Sequence, residues 1–348
     1  MEHLYRNTLS ASESRFAPAV IRAMAWTMSI DRDDSDDGFD AAMAARICWH
    51  YFKEGQTQDA IANRLNLTRK RVNRILGEAR ERGLVQITIQ PPLGVYTELE
   101  ARLTEMFALQ QAIVVPSPLG DTDVRTMVGA AAGEYVSAQL SPGGALGISW
   151  GGTINATAQN IRRRSGQDNS VVLLCGGLAE STTINPYDNA SMMARALDAR
   201  CYYLTAPMFA ASTELRQALV ASEPIRSVLA MVPKLDMALL SAIDLSEQSR
   251  SLEYGVISRN DWRSLRAAGA VGDICGHYLD ADGNSVQHPL AARVINPPIK
   301  SLQAIPLRVL AAGGLVKVAI IRAAIKARLC HVLITDDKAA AALVTGAR

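Results

Sequence analysis

The feature that most constrains the fold is a series of short, almost wholly apolar runs separated by helical stretches. They lie at Ala112–Val115, Ala145–Ser149, Val171–Cys175, Cys201–Leu204, Met237–Leu240, Val309–Ala312 and Val332–Thr335. Runs such as Val171-Val-Leu-Leu and Met237-Ala-Leu-Leu show no polar alternation, so both faces of such a strand must be covered. With helical segments between them, they predict a doubly wound, mostly parallel α/β domain over residues 111–348. No internal repeat or low-complexity tract interrupts it.

Charge sets a second module apart. From Ala41 to Gln90 there are nine Lys and Arg against four Asp and Glu, whereas from Pro91 to Arg348 there are 23 against 22. A basic excess confined to one short segment suits a module that meets a polyanion. Residues 39–90 read as a helix-turn-helix domain. A first helix spans about Asp40 to Glu54, with Ala44, Ile47, Cys48 and Tyr51 on one stripe, and stops at Gly55. A second starts at the N-cap Thr57 and buries Ile61 and Leu65. After a turn at Asn66–Leu67, a third runs from Thr68 to about Arg82 and ends at Gly83. Leu84–Ile89 reads as the short strand of a wing.

The third helix carries Val72, Ile75, Leu76 and Ala79 on its inner stripe. At about 100° per residue, Lys70, Asn73, Arg74 and Gly77 fall on the other side, flanked by Arg69, Arg71 and Arg80. Only Glu78 and Glu81 offset six basic residues between Arg69 and Arg82, more imbalance than a merely solvated face requires. Lys70 and Arg74 suit guanine or phosphate, and Asn73 suits a bidentate contact to adenine. Thr68 and the free amides of the helix start suit a phosphate. The DNA-contacting set is therefore Thr68, Arg69, Lys70, Arg71, Asn73 and Arg74, on double-stranded operator DNA.

In sheets of the predicted kind, ligands bind beyond the carboxyl ends of the strands. Ser149-Trp-Gly-Gly-Thr153 joins a strand to a helix beginning near Ile154. Its glycines expose backbone N–H groups, with the hydroxyls of Ser149 and Thr153 beside Gly151 and Gly152. This is either a phosphate cradle or a tight turn needing glycine for geometry. Gly176 and Gly177 end another strand and can bring backbone close to a ligand. Lys317 follows Gly313-Gly314 on a first helical turn, placed to pair with a phosphate or carboxylate. Asp244 and Asp273 offer carboxylates, which accept paired hydrogen bonds from a diol. Asp336 and Asp337 read instead as an N-cap and first-turn acid of the last helix. These positions, Ser149, Gly151, Gly152, Thr153, Gly176, Gly177, Asp244, Asp273 and Lys317, form the candidate effector set.

Other classes fit less well. The cysteines, Cys48, Cys175, Cys201, Cys275 and Cys330, are scattered with no C-x-x-C pair, which fits reduced thiols in a cytoplasmic protein. His277, His288 and His331 are spaced too irregularly for a metal site, and no cofactor motif is present. Phe16–Ile30 is apolar, but Arg22 interrupts it and acids follow, so it reads as neither signal peptide nor membrane span. Residues 1–38 read as a poorly ordered extension. Residues 91–110 read as a linker with an oligomerisation helix over Thr97–Leu109.

Together these segments resemble the SorC family of sugar-responsive bacterial transcriptional regulators over nearly all of residues 40–345. The resemblance is carried by Gln56-Thr-Gln-Asp-Ala-Ile-Ala, Thr68-Arg-Lys-Arg-Val-Asn-Arg and Gly147-Ile-Ser-Trp-Gly-Gly-Thr153. It continues through Gly269-Ala-Val-Gly-Asp-Ile-Cys-Gly, Ala312-Gly-Gly-Leu-Val-Lys317 and Leu333-Ile-Thr-Asp-Asp337. It implies an effector domain like sugar-phosphate isomerases, a phosphorylated sugar or polyol as inducer, and tetramers or dimers on operator DNA. By position it places the effector at Gly151, Gly152, Thr153, Asp273 and Lys317. One segment departs: after Asp236-Met-Ala-Leu-Leu the family usually continues Gly-Ile-Gly, whereas here Ser241-Ala-Ile-Asp244 adds bulk at a strand end.

The expected function is a DNA-binding regulator, such as a repressor, of a carbohydrate or polyol catabolic operon. The alternative is an isomerase-like enzyme with an appended DNA-binding module. That alternative needs a general base against the substrate carbon, for which only Asp244 or Asp273 offers itself, and it leaves the basic helix without a purpose.

Overall fold

The computed structural model describes residues 40–85, 96–119, 123–180, 182 and 184–346. The expected N-terminal extension, the Pro91–Pro92 boundary and most of the wing strand lie outside the described residues; Leu84 and Val85 are in bends. The chain divides into two compact units between Ala79 and Arg80.

In the first unit, α1 spans Ala41–Cys48, and Asp40 Oδ1 caps it by accepting from the N–H groups of Ala42 (2.9 Å) and Met43 (3.1 Å). The expected single helix to Glu54 instead widens into a π-helical turn over Trp49–Lys53 before Gly55. Helix α2 covers Gln58–Leu65, with Thr57 Oγ1 accepting from Ala60 N–H at 3.2 Å, and it stops at Asn66, whose φ is 55°. Helix α3 covers Arg69–Glu81, and Thr68 Oγ1 accepts from Arg71 N–H at 3.2 Å. Ala44, Ile47, Cys48, Ile61, Ala62, Val72, Leu76 and Ala79 are the buried apolar side chains of these helices. The inner stripe of α3 therefore faces protein, and Lys70, Asn73 and Arg74 stay exposed.

The second unit is built on a seven-stranded parallel sheet. Its strands are β1 (Gln111–Val115), β2 (Ala145–Ile148), β3 (Ser170–Gly177), β4 (Arg200–Pro207), β5 (Met237–Leu240), β9 (Leu307–Ala311) and β10 (Val332–Asp336). They lie in the order β1-β10-β9-β5-β2-β3-β4, every neighbouring pair parallel. All seven apolar runs of the sequence occupy these strands. Val171 to Cys175 and Met237 to Leu240 are buried throughout, as their lack of alternation requires. Helix α4 (Thr97–Phe107) buries Leu103, and its Glu100 Oε1 accepts from the Val114 N–H of β1 at 2.9 Å. It is thus packed on the sheet edge as part of this unit rather than standing as a separate linker.

A second, three-stranded antiparallel sheet was not expected. It comprises β6 (Ala242–Asp244), β7 (Gly272–Ile274) and β8 (His277–Leu279). The β7–β8 turn is Cys275-Gly276, with φ of 53° and 79°. Two consecutive positive φ values suit a tight hairpin, whose usual Asn-Gly or Asp-Gly signature is missing here.

The winding reverses between β2 and β5. From β2 the chain proceeds to β3 and β4 on one side, whereas β5 is followed by β9 and β10 on the other. Neighbouring strands whose connections diverge leave a crevice at their carboxyl ends. Helix α5 (Val124–Gln139) follows β1, and α6 (Gly152–Gln159) follows β2. The two pack so closely that a Cβ on Gly129 would lie 2.4 Å from Ala156 Cβ, which holds α6 against α5.

Candidate effector pocket and DNA-reading helix

The ends of β2 and β5 are tied together at the crevice. Ser149 N–H donates to Leu239 O (3.0 Å), Ser241 N–H to Ser149 Oγ (2.9 Å), and Ser241 Oγ–H to Trp150 O (2.6 Å). Gly151 then adopts φ 113°, a conformation L side chains avoid, and starts α6. The result is a cavity of about 170 Å³ over these strand ends. Gly152, Asp244 and Lys317 line it, together with Asp123, Arg125, Trp150, Ser241, Ile243 and Arg250.

Three cations and two carboxylates meet in this lining. Arg125 donates from Nε to Asp123 Oδ2 at 2.7 Å and makes a second contact through Nη2, while Arg250 lies 4.0 Å from the same oxygen. Burial alone would raise the Asp123 carboxyl, but hydrogen bonds from the Arg125 side chain and N–H hold it below the usual carboxylate range. Lys317 is half-buried along its length. Burial pushes its ammonium below the usual lysine range more than Asp244 restores it, and the Arg125 charge adds to the depression. The pocket holds positive charge at a desolvation cost, an arrangement suited to an incoming anion.

Behind the lining, burial lifts Asp273 to about 7, against the pull of the Gly276 N–H, which donates to its Oδ2 at 2.7 Å. The Trp150 indole N–H favours the ionised form of Asp273 yet reaches hydrogen-bond geometry with no acceptor, and Thr153 Oγ1 is likewise buried without a partner. An unsatisfied buried polar group costs about 1–3 kcal/mol, so both atoms weigh on the fold around the strand ends.

The expected set is thus partly assembled. Gly152, Asp244 and Lys317 line the cavity, Ser149, Gly151 and Asp273 touch or pair with its lining residues Ser241 and Ile243, and Thr153 does not line it. Gly176 and Gly177 do not line it, and their close approach is to the chain itself. A Cβ on Gly176 would lie 2.3 Å from Pro207 O, and one on Gly177 1.9 Å from the Tyr187 ring. Asp336 is the helix N-cap read from the sequence, but it also accepts from Gly314 N–H at 2.6 Å and so shapes the turn before Lys317. Sequence reading missed Asp123, Arg125 and Arg250. The first two stand beyond the end of β1 at the start of α5, away from any glycine turn, and Arg250 follows no strand of the main sheet. Among the described residues no group of histidines, cysteines and carboxylates could hold a metal ion. His277 Nε2 is instead 3.0 Å from Pro297 O, and burial lowers that imidazole to about 4.

On α3 the expected residues divide by engagement. Lys70 is exposed, Arg69 pairs with Asp59 (3.3 Å) and Arg74 with Glu78 (3.3 Å). Arg71 is half-buried with an unpartnered Nε. Asn73 Oδ1 accepts from Gln58 Nε2 at 3.2 Å.

The profile of the sugar-binding domain family, Sugar-bind, matches residues 92–345. The transcriptional regulator LsrR of Escherichia coli strain K12 is 31% identical over 307 residues, covering 86% of this chain and 93% of that protein. The erythritol catabolism regulatory protein EryD of Brucella abortus is 29% identical over 314 residues, covering 89% and 98%. The full-length sorbitol operon regulator SorC of Klebsiella pneumoniae shares the fold, with a TM-score of 0.68 at 23% identity over 88% of this chain and 100% of that one. The chain belongs to the SorC family of transcriptional regulators.

A DeoR family regulator from Listeria monocytogenes matches this SorC-family regulator with a TM-score of 0.67 and 27% identity, over 72% of this chain and 100% of that one. These relatives are named as regulators, not enzymes, which sets aside the isomerase-like alternative. No described helix of this regulator is long and apolar enough to cross a membrane.

Proposed function

We propose that this SorC-family regulator controls a carbohydrate or polyol catabolic operon from the cytoplasm. In this reading α3 reads double-stranded operator DNA, and a phosphorylated sugar or polyol in the β2/β5 crevice sets its affinity. The observation that carries the reading is the mixed charge of the cavity lining. Arg125 rests against Gly152 at the start of α6, and Arg250 and Lys317 add positive charge, while Asp244 and Ser241 offer hydroxyl partners. A phosphate at one end of a hydroxylated chain satisfies both.

Control requires different affinity for two arrangements of the protein, because a ligand that binds both equally shifts nothing. A homodimer or homotetramer on paired operator half-sites supplies such arrangements. A thermal-shift panel pairing sugar phosphates and polyol phosphates with their unphosphorylated parents tests the pocket. At least one phosphate ester raises the melting temperature where its parent does not. A panel in which parents and esters act alike removes the anion half of the reading.

A further inference from the structure

Gln58, the first residue of α2, is fifteen positions from Asn73 in sequence, so the 3.2 Å bond from its Nε2 to Asn73 Oδ1 is a tertiary contact between two helices. The next residue repeats the reach: Asp59 pairs with Arg69 at 3.3 Å. Residues 69 and 73 are one turn apart on the same side of α3. Two successive side chains at the start of α2 therefore hold two successive outward positions of α3.

What Gln58 leaves available on Asn73 has a definite chemistry. A carbonyl oxygen carries two lone pairs, and Gln58 takes one. The second lone pair and both Nδ2 hydrogens remain. An acceptor and a donor side by side complement the major-groove edge of adenine, which presents the N6 donor and the N7 acceptor. The guanine edge presents two acceptors there and would leave the Asn73 oxygen unserved. A free asparagine amide must also be immobilised on binding, and a neighbour that already holds it removes part of that entropic cost.

We propose that Gln58 is a positioning residue for base readout, holding the Asn73 amide in the orientation that selects adenine. This rests on α3 being the DNA-reading helix. Gln58 itself need touch no base. Its effect is confined to the base pair that Asn73 reads.

The experiment selects duplexes from a random library with the full-length protein, then measures affinity for the recovered duplex and for each single-base change. The same series is run on Gln58→Ala, Gln58→Glu, Asn73→Ala and the Gln58→Ala/Asn73→Ala double variant, with melting temperatures recorded. Asn73→Ala removes discrimination at one adenine. Gln58→Ala lowers discrimination at that same position by about threefold to tenfold, the worth of one hydrogen bond, and leaves the others unchanged. Gln58→Glu, which cannot donate, loses discrimination at that position to a similar degree, beside a uniform weakening from its added negative charge, and the double variant loses no more than Asn73→Ala. If Asn73→Ala abolishes the adenine preference while Gln58→Ala leaves it intact, the positioning role is wrong and the reading helix stands. Uniform weakening across all duplexes by Gln58→Ala also overturns it, since a merely structural contact would act that way. An unchanged preference profile for Asn73→Ala overturns both.

Discussion

The guanidinium of Arg125 rests against Gly152, so closely that a Cβ added to Gly152 would lie 2.5 Å from Arg125 Nη1. This contact brings the cation of α5 to the first turn of α6, where free backbone N–H groups also favour negative charge. The obstacle to a side chain at position 152 is the far end of a flexible arginine, so the fold can absorb it. Gly152→Ala is expected to change the melting temperature by no more than a few degrees and to weaken effector binding about tenfold. Thermal shift with and without the active phosphate ester checks both halves; undiminished ligand stabilisation would separate Arg125 from the site.

Lys317 holds an ammonium where burial disfavours it. Wherever that ammonium is charged, its desolvation weighs on the folded state. Lys317→Met keeps the length of the side chain and removes the charge. The variant is expected to melt no lower than the parent while losing most of the stabilisation conferred by an anionic ligand. A lower melting point together with full ligand response would reverse the assignment.

Asp273 gives a pH signature. Its carboxyl titrates near 3.8 when unfolded and about 7 when folded. Between those values the native state binds more protons than the unfolded state, so stability falls as pH rises through that window, and the full cost is present above it. Asp273→Asn is neutral throughout. Its melting temperature relative to the parent is expected to rise from pH 5 to pH 8 in ligand-free protein; a constant difference would show that Asp273 is ionised across the range.

Gly176 and Gly177 make the contrasting case. Their neighbours are the backbone of β4 and the Tyr187 ring, whose hydroxyl donates to Leu204 O (2.8 Å) and Ala206 O (3.0 Å). Neither neighbour can yield cheaply. Gly176→Ala is expected to destabilise the fold by about 1–3 kcal/mol, as overpacking does, seen in denaturant unfolding. Ligand response should persist in whatever fraction remains folded.

These positions show what one chain of letters can and cannot convey. The seven strands were legible because a strand buried on both faces must be apolar without alternation, and Val171-Val-Leu-Leu admits no other exposure in an α/β sheet. The exposed basic face of α3 was legible because Lys70, Asn73 and Arg74 share a helical side that no apolar residue enters. The β6-β7-β8 sheet was hidden by its three-residue strands and by a Cys-Gly turn lacking the usual hairpin residues. Glycine pairs were ambiguous for a physical reason: Gly151-Gly152 and Gly176-Gly177 both permit close approach, and only the fold decides that Arg125 approaches the first pair and Tyr187 the second. Arg125 escaped because its partner at the pocket, Gly152, lies on another helix.

The most direct test is the affinity of the full-length protein for duplex DNA from upstream of its own and adjacent genes. It is measured by fluorescence anisotropy across salt concentrations, with and without the phosphate ester that raises the melting temperature. Binding should prefer one duplex and weaken steeply with salt, and the ester should change the preferred affinity at least fivefold; Lys70→Ala should lower the salt exponent by about one and the Lys70→Ala/Asn73→Ala/Arg74→Ala triple variant should erase the preference. Equal, ester-insensitive binding to every duplex, unaltered in the triple variant, would contradict the account.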